Sequence, residues 1–346
     1  MAMIQTIGGM SLDQARLRDR VDLLTRQVST GQRGTTHGEL GAEARRAIDL
    51  RGDVARREAY VGAADVALGR MSLVQGVLSR LETIASDTAV EALRARTLGT
   101  MGVETLARIA RTALEEVAAL LNTRHGEDYL FAGSDLMQAP VPDAAGIATG
   151  PMATAIATAV GTLDPANAAA VLADTATAAT APATRPFNAH LEGPALGEPR
   201  RGLQLADGER VNWGVLASQD QAGEVALAWG RELLRGLATL AALTPATAAQ
   251  GAGYDALLSG VSQGLDGATR SMAQERGTLG AAERRVEAAR ERHKDLLVAV
   301  RAQLGSVEEV DLAAVSSALR QTELRLEASY STTARIAQLS LAALLR

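Results

Sequence analysis

The sequence predicts a mainly α-helical protein with a small β-containing insert. A long antiparallel helical coiled-coil trunk is formed from both chain ends, and a variable domain is inserted in the middle. Three observations predict this fold. Residues 306–345 contain neither Pro nor Gly, and their apolar side chains recur about every 3.5 residues. A second heptad pattern lies near the N-terminus. Hydrophobic residues make up 47% of the chain but aromatic residues only 2%, which favours long, thin helical bundles.

Charge and residue types exclude several functional classes. The net charge is −5, with 35 basic and 40 acidic residues intermixed, so a general nucleic-acid surface is not expected. The chain has no cysteine, which excludes disulfides, thiolate metal sites and cysteine nucleophiles. The first residues lack the basic and apolar regions of a secretory signal peptide. No run approaches the ~20 apolar residues of a membrane span, so we expect no membrane insertion.

The N-terminal third is predicted to be helical. A first helix covers residues 11–30 and ends at Gly31. The glycine-rich stretch 31–41 is predicted to be a loop, and two further helices are expected at 42–87 and 102–123. The apolar seam of the first helix contains Leu17, Val21, Leu24 and Val28.

The middle of the chain changes in composition and period. Residues 143–186 are rich in Ala and Thr, which we interpret as a weakly structured or variable insert. Residues 201–216 alternate apolar and polar positions on either side of Asp207-Gly208, which predicts a β-hairpin extending to Trp213 and Val215. Helix is expected to resume near Gln219 and to end near Ala242.

The C-terminal third is again helical. A helix is predicted from Tyr254 to Gly305, with a heptad seam interrupted by one stutter. Ser306 is expected to cap the last helix, with Glu308 and Glu309 in its first turn. The seam of that helix contains Leu312, Val315, Leu319, Leu326, Ile336 and Leu339.

These elements predict five segments. They are an N-terminal helix and turn (1–41), the N-terminal half of the trunk (42–140), the insert (141–218), the C-terminal half of the trunk (219–305) and a C-terminal helix (306–346). One helix cannot cover so long an apolar stripe alone, so the two terminal seams are expected to bury either in an intramolecular bundle or against neighbouring subunits.

No arrangement of side chains indicates an enzyme, a cofactor or a metal site. Residues 260–264 fit the G-x-S-x-G pattern of hydrolases, but their flanks have helical spacing rather than the strand and elbow that this chemistry needs. His125, Glu127 and Asp128 have suitable side-chain types for a metal but no ligand spacing, and we interpret them as a polar loop.

Several short strings resemble the flagellin superfamily, whose paired termini form the core of bacterial flagellar filaments and hook–filament junctions. Residues 27–31 resemble its "STG" turn, residues 121–133 its "N…YLFAG" element, and residues 275–281 the start of its C-terminal trunk helix. Residues 310–313, 327–330 and 339–341 resemble its terminal pattern. The motif residues are Ser29, Thr30, Gly31, Asn122, Tyr129, Leu130, Phe131, Ala132, Gly133, Asp311, Ala328, Ser329, Ser340 and Leu341.

The resemblance implies a structural flagellar protein that binds copies of itself and other hook or filament proteins. It also implies an extracellular location, export through the flagellar channel without signal cleavage, and an export chaperone on the C-terminal helix. Residues 32–53 depart from the polar segment that follows the "STG" turn in flagellins, and the middle is compact, which favours a junction subunit. A flagellin of the main filament and a cytoplasmic coiled-coil scaffold remain open alternatives.

Overall fold

The computed structural model describes residues 2–36, 38–219 and 228–344, and the side chains at 2–11 and 337–344 are left out of the description. It divides the chain into two compact units. The first unit comprises residues 1–59 and 292–346, and the second comprises 60–291. The helices are α1 (Ala2–Thr30), α2 (Ala44–Leu98), α3 (Thr100–Leu121), α4 (Pro151–Gly161), α5 (Ala168–Thr180), α6 (Trp229–Ala241), α7 (Pro245–Ala248), α8 (Ala252–Glu308) and α9 (Leu312–Leu344). The strands are β1 (Arg124–His125), β2 (Asp128–Tyr129), β3 (Gly202–Ala206) and β4 (Glu209–Asn212).

Helices α2 and α8 pair antiparallel, as the heptad patterns predict, and ion pairs fix their register. In the first unit, Arg51 pairs with Glu308 at 2.7 Å and Glu58 pairs with Arg301 at 2.5 Å. A residue further along α2 pairs with a residue earlier in α8, which is the pattern of antiparallel packing.

Within the second unit, the same two helices also run antiparallel. Asp65 pairs with Arg290 at 3.1 Å, Glu82 with Arg276 at 2.6 Å, and Arg96 with Asp255 at 3.2 Å. Apolar residues such as Met71, Leu78 and Leu81 are fully buried there. The antiparallel helical trunk of the predicted fold is therefore confirmed.

The core of the second unit is built around α6, which packs on α3 and α4. Trp229, Leu233 and Leu237 of α6 are fully buried. Phe131 meets Trp229 edge to face, with ring centroids 6.0 Å apart and an interplanar angle of 72°. This geometry is favourable for the quadrupoles of two aromatic rings. Phe131 and Trp229 thus anchor this helix in the core.

The Ala/Thr-rich stretch is folded, which corrects the expectation of a weakly structured insert. It contains α4 and α5, and Met152, Ile156, Val160 and Val171 are buried between these helices and the rest of the core. Small Ala and Thr side chains allow these helices to pack closely, so the composition indicates close packing here rather than disorder.

The hairpin prediction is confirmed in its centre. Leu203 pairs with Val211 across β3 and β4, and Gly208 takes a positive φ of 79° in the turn. The paired strand ends at Asn212, so Trp213 and Val215 lie beyond it and are buried side chains of the following segment. Sequence analysis missed the two-residue hairpin β1–β2, whose turn is closed by Gly126 at a φ of 65°.

Several predicted helix boundaries are wrong. Helix α8 does not stop at Gly305 but continues to Glu308, because Val307 is buried in the first unit and stabilises an additional turn. Consequently Ser306 is no cap. Its hydroxyl donates to the Gln303 carbonyl within α8. The first helix begins at Ala2 rather than at residue 11, and α2 ends at Leu98 rather than at 87.

The remaining boundaries agree more closely. Helix α3 covers Thr100–Leu121 instead of 102–123. Helix α6 begins at Trp229 among the residues that the structure describes, and the predicted start at Gln219 lies next to a stretch outside that description. Among the described residues, one helical segment, Gly41–Leu98, is long and apolar enough by length and composition to cross a membrane, whereas no membrane span is expected from the sequence. Only 39% of its most apolar window is buried.

Candidate assembly surface

The terminal helices α1 and α9 lie side by side in the first unit. The Gln14 amide donates to Ser329 Oγ at 3.3 Å and to Thr333 Oγ1 at 2.8 Å. The Arg18 guanidinium hydrogen-bonds Tyr330 and lies 5.3 Å from the centre of its ring, as in a cation–π contact. These contacts align the two helices antiparallel along their polar edge.

The predicted seam residues lie along this helix pair, but one chain covers them only in part. Leu24 is 2% exposed and is the one fully buried member among those whose side chains are described. Leu17, Val21 and Val28 of α1 are half-buried, as are Val315, Leu319, Leu326 and Ile336 of α9. Leu312 is 51% exposed, and the side chain of Leu339 lies outside the description. The pair therefore retains apolar surface that a neighbouring helix can cover.

A short backbone joint ties the two terminal helices to the rest of the first unit. Val310 N donates to Gly31 O at 3.0 Å, and Arg33 N donates to Glu308 O at 2.7 Å. Gly31 has a φ of 70°, a conformation that favours glycine. This backbone conformation explains why the "STG" turn ends in a glycine. Thr30 Oγ1 accepts from Gln32 N at 3.2 Å, while the Ser29 hydroxyl donates to Arg26 O.

Asp311 caps α9. Its Oδ1 accepts from Ala313 N at 2.9 Å and from Ala314 N at 3.1 Å, which satisfies two of the free amides at the helix start. Of the other motif residues in this helix, Ala328 O accepts from the Ser331 hydroxyl, and the side chains of Ser340 and Leu341 lie outside the description.

Glu39 organises the loop between α1 and α2. Its Oε2 accepts from Thr35 N at 2.6 Å and from Thr36 N at 3.2 Å, and Arg26 lies 3.6 Å from Oε1. The backbone hydrogen bonds from Thr35 and Thr36 hold the pKa of this carboxyl below its usual value of 4.5. The charged form of Glu39 is therefore the one that fixes the loop.

The motif residues of the second unit have structural roles. Asn122 bridges the chain to Val141, donating to its carbonyl at 2.7 Å and accepting from its amide at 2.9 Å. Leu130, Phe131 and Ala132 are buried. Gly133 has a φ of 69°, and a side chain there would meet Leu216 at 3.2 Å. Tyr129 N donates to Leu136 O at 3.0 Å.

Buried charges in the second unit are paired. Glu275 is fully buried and lies 3.0 Å from Arg200. Arg70 is 3% exposed and donates to Asp128 Oδ2 and to Tyr129 O, each at 2.8 Å. The hydrogen bond from Arg70 lowers the pKa of Asp128. Asp128 thus forms an ion pair with the buried Arg70.

No catalytic arrangement emerges from these groups. Ser134 Oγ lies 3.1 Å from His190 Nε2, but Glu198 contacts the same hydroxyl and lies 3.8 Å from the same ring nitrogen. A nucleophilic triad needs the carboxylate on the opposite nitrogen of the imidazole, where it orients the ring. Ser262 of the G-x-S-x-G string is buried inside helix α8, as the helical spacing of its flanks predicts. Within the described part of the chain, no group of three potential ligands could hold a metal ion.

The helices α1 and α9 pair with each other, and backbone hydrogen bonds connect the segments next to them. The residues between them form the longer helices and the inserted middle domain. This arrangement is typical of a helical structural protein. Residues 262–345 match the family model of the bacterial flagellin C-terminal helical region. This match confirms the resemblance to the flagellin superfamily, whose members are structural rather than enzymatic proteins.

A solved structure from Vibrio parahaemolyticus, described as a flagellar hook-associated protein, shares the fold. It is similar to this chain with a TM-score of 0.52 and 12% sequence identity, over 77% of this chain and 97% of the other. No curated protein sequence matches the chain.

Proposed function

We propose that this protein is a structural component of the bacterial flagellum that joins the hook to the filament, as hook-associated protein 3 does. It self-associates through its paired terminal helices. The observation that carries the proposal is the half-covered seam of α1 and α9, in which Leu24 alone reaches full burial among the predicted members with described side chains. A partly buried apolar seam of this length is stabilised further when a second subunit covers it.

The match to the flagellin C-terminal region supports the flagellar role and an extracellular, flagellar location. Copies of the same chain and other hook or filament proteins are its proposed partners. We further propose export through the flagellar channel without signal cleavage. Before assembly, an export chaperone covers α9, since Leu312 and Leu324 are 51% and 66% exposed on that helix.

A flagellin of the main filament is the second candidate. The match to the flagellin C-terminal helical region supports this candidate as well as the junction role. The departure of residues 32–53 from the flagellin pattern supports the junction role instead.

Electron microscopy of the full chain added to isolated hooks and to short filament fragments tests the proposal. A short layer of protein bound to hooks, without elongation of filament fragments, is the expected result. Long filaments growing from the fragments would identify a main-filament flagellin. Binding to neither would favour the cytoplasmic scaffold.

Seam variants sharpen this experiment. Leu326→Asp places a charge in the seam and is expected to abolish binding to hooks, because burying an unpaired carboxylate is costly. Ser317→Asp, at an exposed polar position of the same helix, is the matched control and should bind as the wild type does.

A further inference from the structure

The chain contains two Asp-Gly pairs, and the structure places them in different kinds of backbone. Asp207-Gly208 forms the turn of the hairpin β3–β4, whereas Asp266-Gly267 lies inside helix α8. An Asp-Gly pair is chemically unusual, because glycine has no side chain that would shield its backbone nitrogen from the neighbouring carboxyl group. The nitrogen and the carboxyl carbon can therefore react with each other where the backbone conformation allows it.

The two pairs have similar surroundings. Asp207 and Asp266 are both exposed to solvent, and nothing outside the local backbone lies within 4 Å of the position that a side chain would occupy at Gly208 or Gly267. Packing therefore shields neither pair. They differ in backbone conformation, since Gly208 has a positive φ of 79° in a turn and Gly267 is part of a long helix. A difference in reactivity between them should come from this conformation.

Helix α8 protects the pair that it contains. Each amide inside an α-helix donates to the carbonyl four residues earlier, which fixes the backbone dihedrals. Closing a ring between the Asp266 carboxyl and the Gly267 nitrogen requires the aspartate backbone to leave the helical conformation. Interior turns of a well-packed helix open rarely, and Leu265 and Ala268 are buried on either side of this pair.

The hairpin turn is held less firmly. Strand pairing ends at Ala206 and Glu209, so the backbone of Asp207 and Gly208 belongs to neither strand. The hydroxyl of Tyr60 donates to Asp207 Oδ1 at 2.8 Å, and the carboxyl group has to give up this hydrogen bond to react. Because a hydrogen bond at an exposed position contributes little net stability, we expect the folded turn to react more slowly than an unfolded chain but faster than the helix.

We propose that Asp207 isomerises spontaneously to isoaspartate. The Gly208 nitrogen attacks the side-chain carboxyl carbon of Asp207, a C–N bond forms, and the carboxyl OH leaves with the amide hydrogen as water. Water then adds to the resulting succinimide and breaks one of its two ring C–N bonds. Breaking the new bond restores Asp207, whereas breaking the original peptide bond leaves a main chain that runs through the side-chain carbon. The water lost in the first reaction is regained in the second, so the product has an unchanged mass.

The product changes the hairpin. Isoaspartate adds one atom to the main chain of a two-residue turn, and the length of a hairpin turn sets the register of its strands. We therefore expect the modification to weaken the pairing of Leu203 with Val211. The modified turn belongs to the second unit, whereas the proposed self-association uses α1 and α9 of the first. The reaction can thus occur whether or not the protein is a flagellar subunit.

The helical pair is an internal control for the experiment. The full-length protein is incubated at neutral pH for several weeks, digested, and analysed by mass spectrometry with electron-transfer fragmentation, which distinguishes isoaspartate from aspartate. In the folded protein, we expect at least about tenfold more isoaspartate at position 207 than at position 266, because the helix opens rarely. In urea, where neither pair is held by structure, both should react faster and at comparable rates. Incubation in heavy-oxygen water marks the same reaction, since ring opening takes one oxygen atom from the solvent.

Asp207→Glu is the matched variant. It keeps the charge but would have to close a larger ring, which forms far more slowly, so the product at position 207 should disappear. Persistence of the signal in this variant would assign it to another residue and refute the proposal. Equal amounts at positions 207 and 266 in the folded protein would also refute it, because the turn would then protect its pair as well as the helix does. Absence of isoaspartate at both positions in urea would show that neither Asp-Gly pair reacts and would refute it as well.

Discussion

At the residue scale, the ionised carboxyl of Glu39 holds the loop after α1. Because its pKa is depressed, its stabilising contribution is fully present above the usual value of 4.5 and is lost as the pH falls through the lower folded value. We expect Glu39→Gln to increase hydrogen exchange at the Thr35 and Thr36 amides at pH 6. The difference from wild type should shrink as the pH is lowered below 4.5, as measured by NMR. Glu43→Gln, which alters a surface pair with Arg46, is the control.

Buried and exposed ion pairs of the second unit should contribute differently to the free energy of unfolding. Glu275→Ala leaves Arg200 facing a buried space, and we expect a loss of about 3–5 kcal/mol in the free energy of unfolding. Glu116→Ala breaks the exposed pair with Arg80 and should cost less than about 1 kcal/mol. Urea denaturation of both variants measures the difference, and equal losses would show that the burial of Glu275 is unimportant.

At the element scale, the start of α9 depends on Asp311 rather than on Ser306. Asp311→Ala removes the cap and is expected to cost about 1 kcal/mol of local helix stability. Amide exchange at Ala313 and Ala314 should rise in this variant. Ser306→Ala should leave both amides unchanged, and the opposite result would place the helix start where the sequence alone suggested it.

The folding of α4 can be tested by removing one side chain from its core face. Ile156 is fully buried, so Ile156→Ala should destabilise the second unit by about 2–5 kcal/mol. Thr158→Ala, at an exposed position of the same helix, should change the unfolding midpoint little. A negligible effect of Ile156→Ala in calorimetry would support a loosely structured insert after all.

The elements that sequence predicted well are those with local signals. Asp207-Gly208 specifies its own turn, and the heptad spacing of the two trunk helices indicates their pairing. The helices α4 and α5 were missed because Ala and Thr give little periodic contrast, and their order comes from burial against distant residues. Gly305 was misjudged for a similar reason: burial of Val307 outweighs the helix-breaking tendency of a glycine.

The assembly surface was predicted only in outline. Leu17 and Leu319 could be assigned to seams by spacing, but spacing cannot say whether the same chain or another covers them. The contact of Gln14 with Thr333 joins residues 319 positions apart, and no local pattern predicts it.

At the scale of the whole molecule, the two units should resist proteases differently. Apart from Leu24, the described seam residues of the terminal helices are half-buried or exposed in a single chain, while the second unit has an extensive core. We expect limited proteolysis to trim both ends early and to leave a resistant fragment containing residues 60–291. Mass spectrometry of the fragments measures this, and persistence of intact ends would favour a stable cytoplasmic scaffold.

The pairing of α1 with α9 has a consequence for biosynthesis. Gln14 emerges from the ribosome 315 and 319 residues before its partners Ser329 and Thr333. Closing a loop of some three hundred residues costs roughly 5 kcal/mol in chain entropy. During translation, the second unit can therefore fold before α1 meets its partner helix α9. A chain whose synthesis stops before Leu312 would contain the complete second unit but would lack α9, so α1 would have no partner helix.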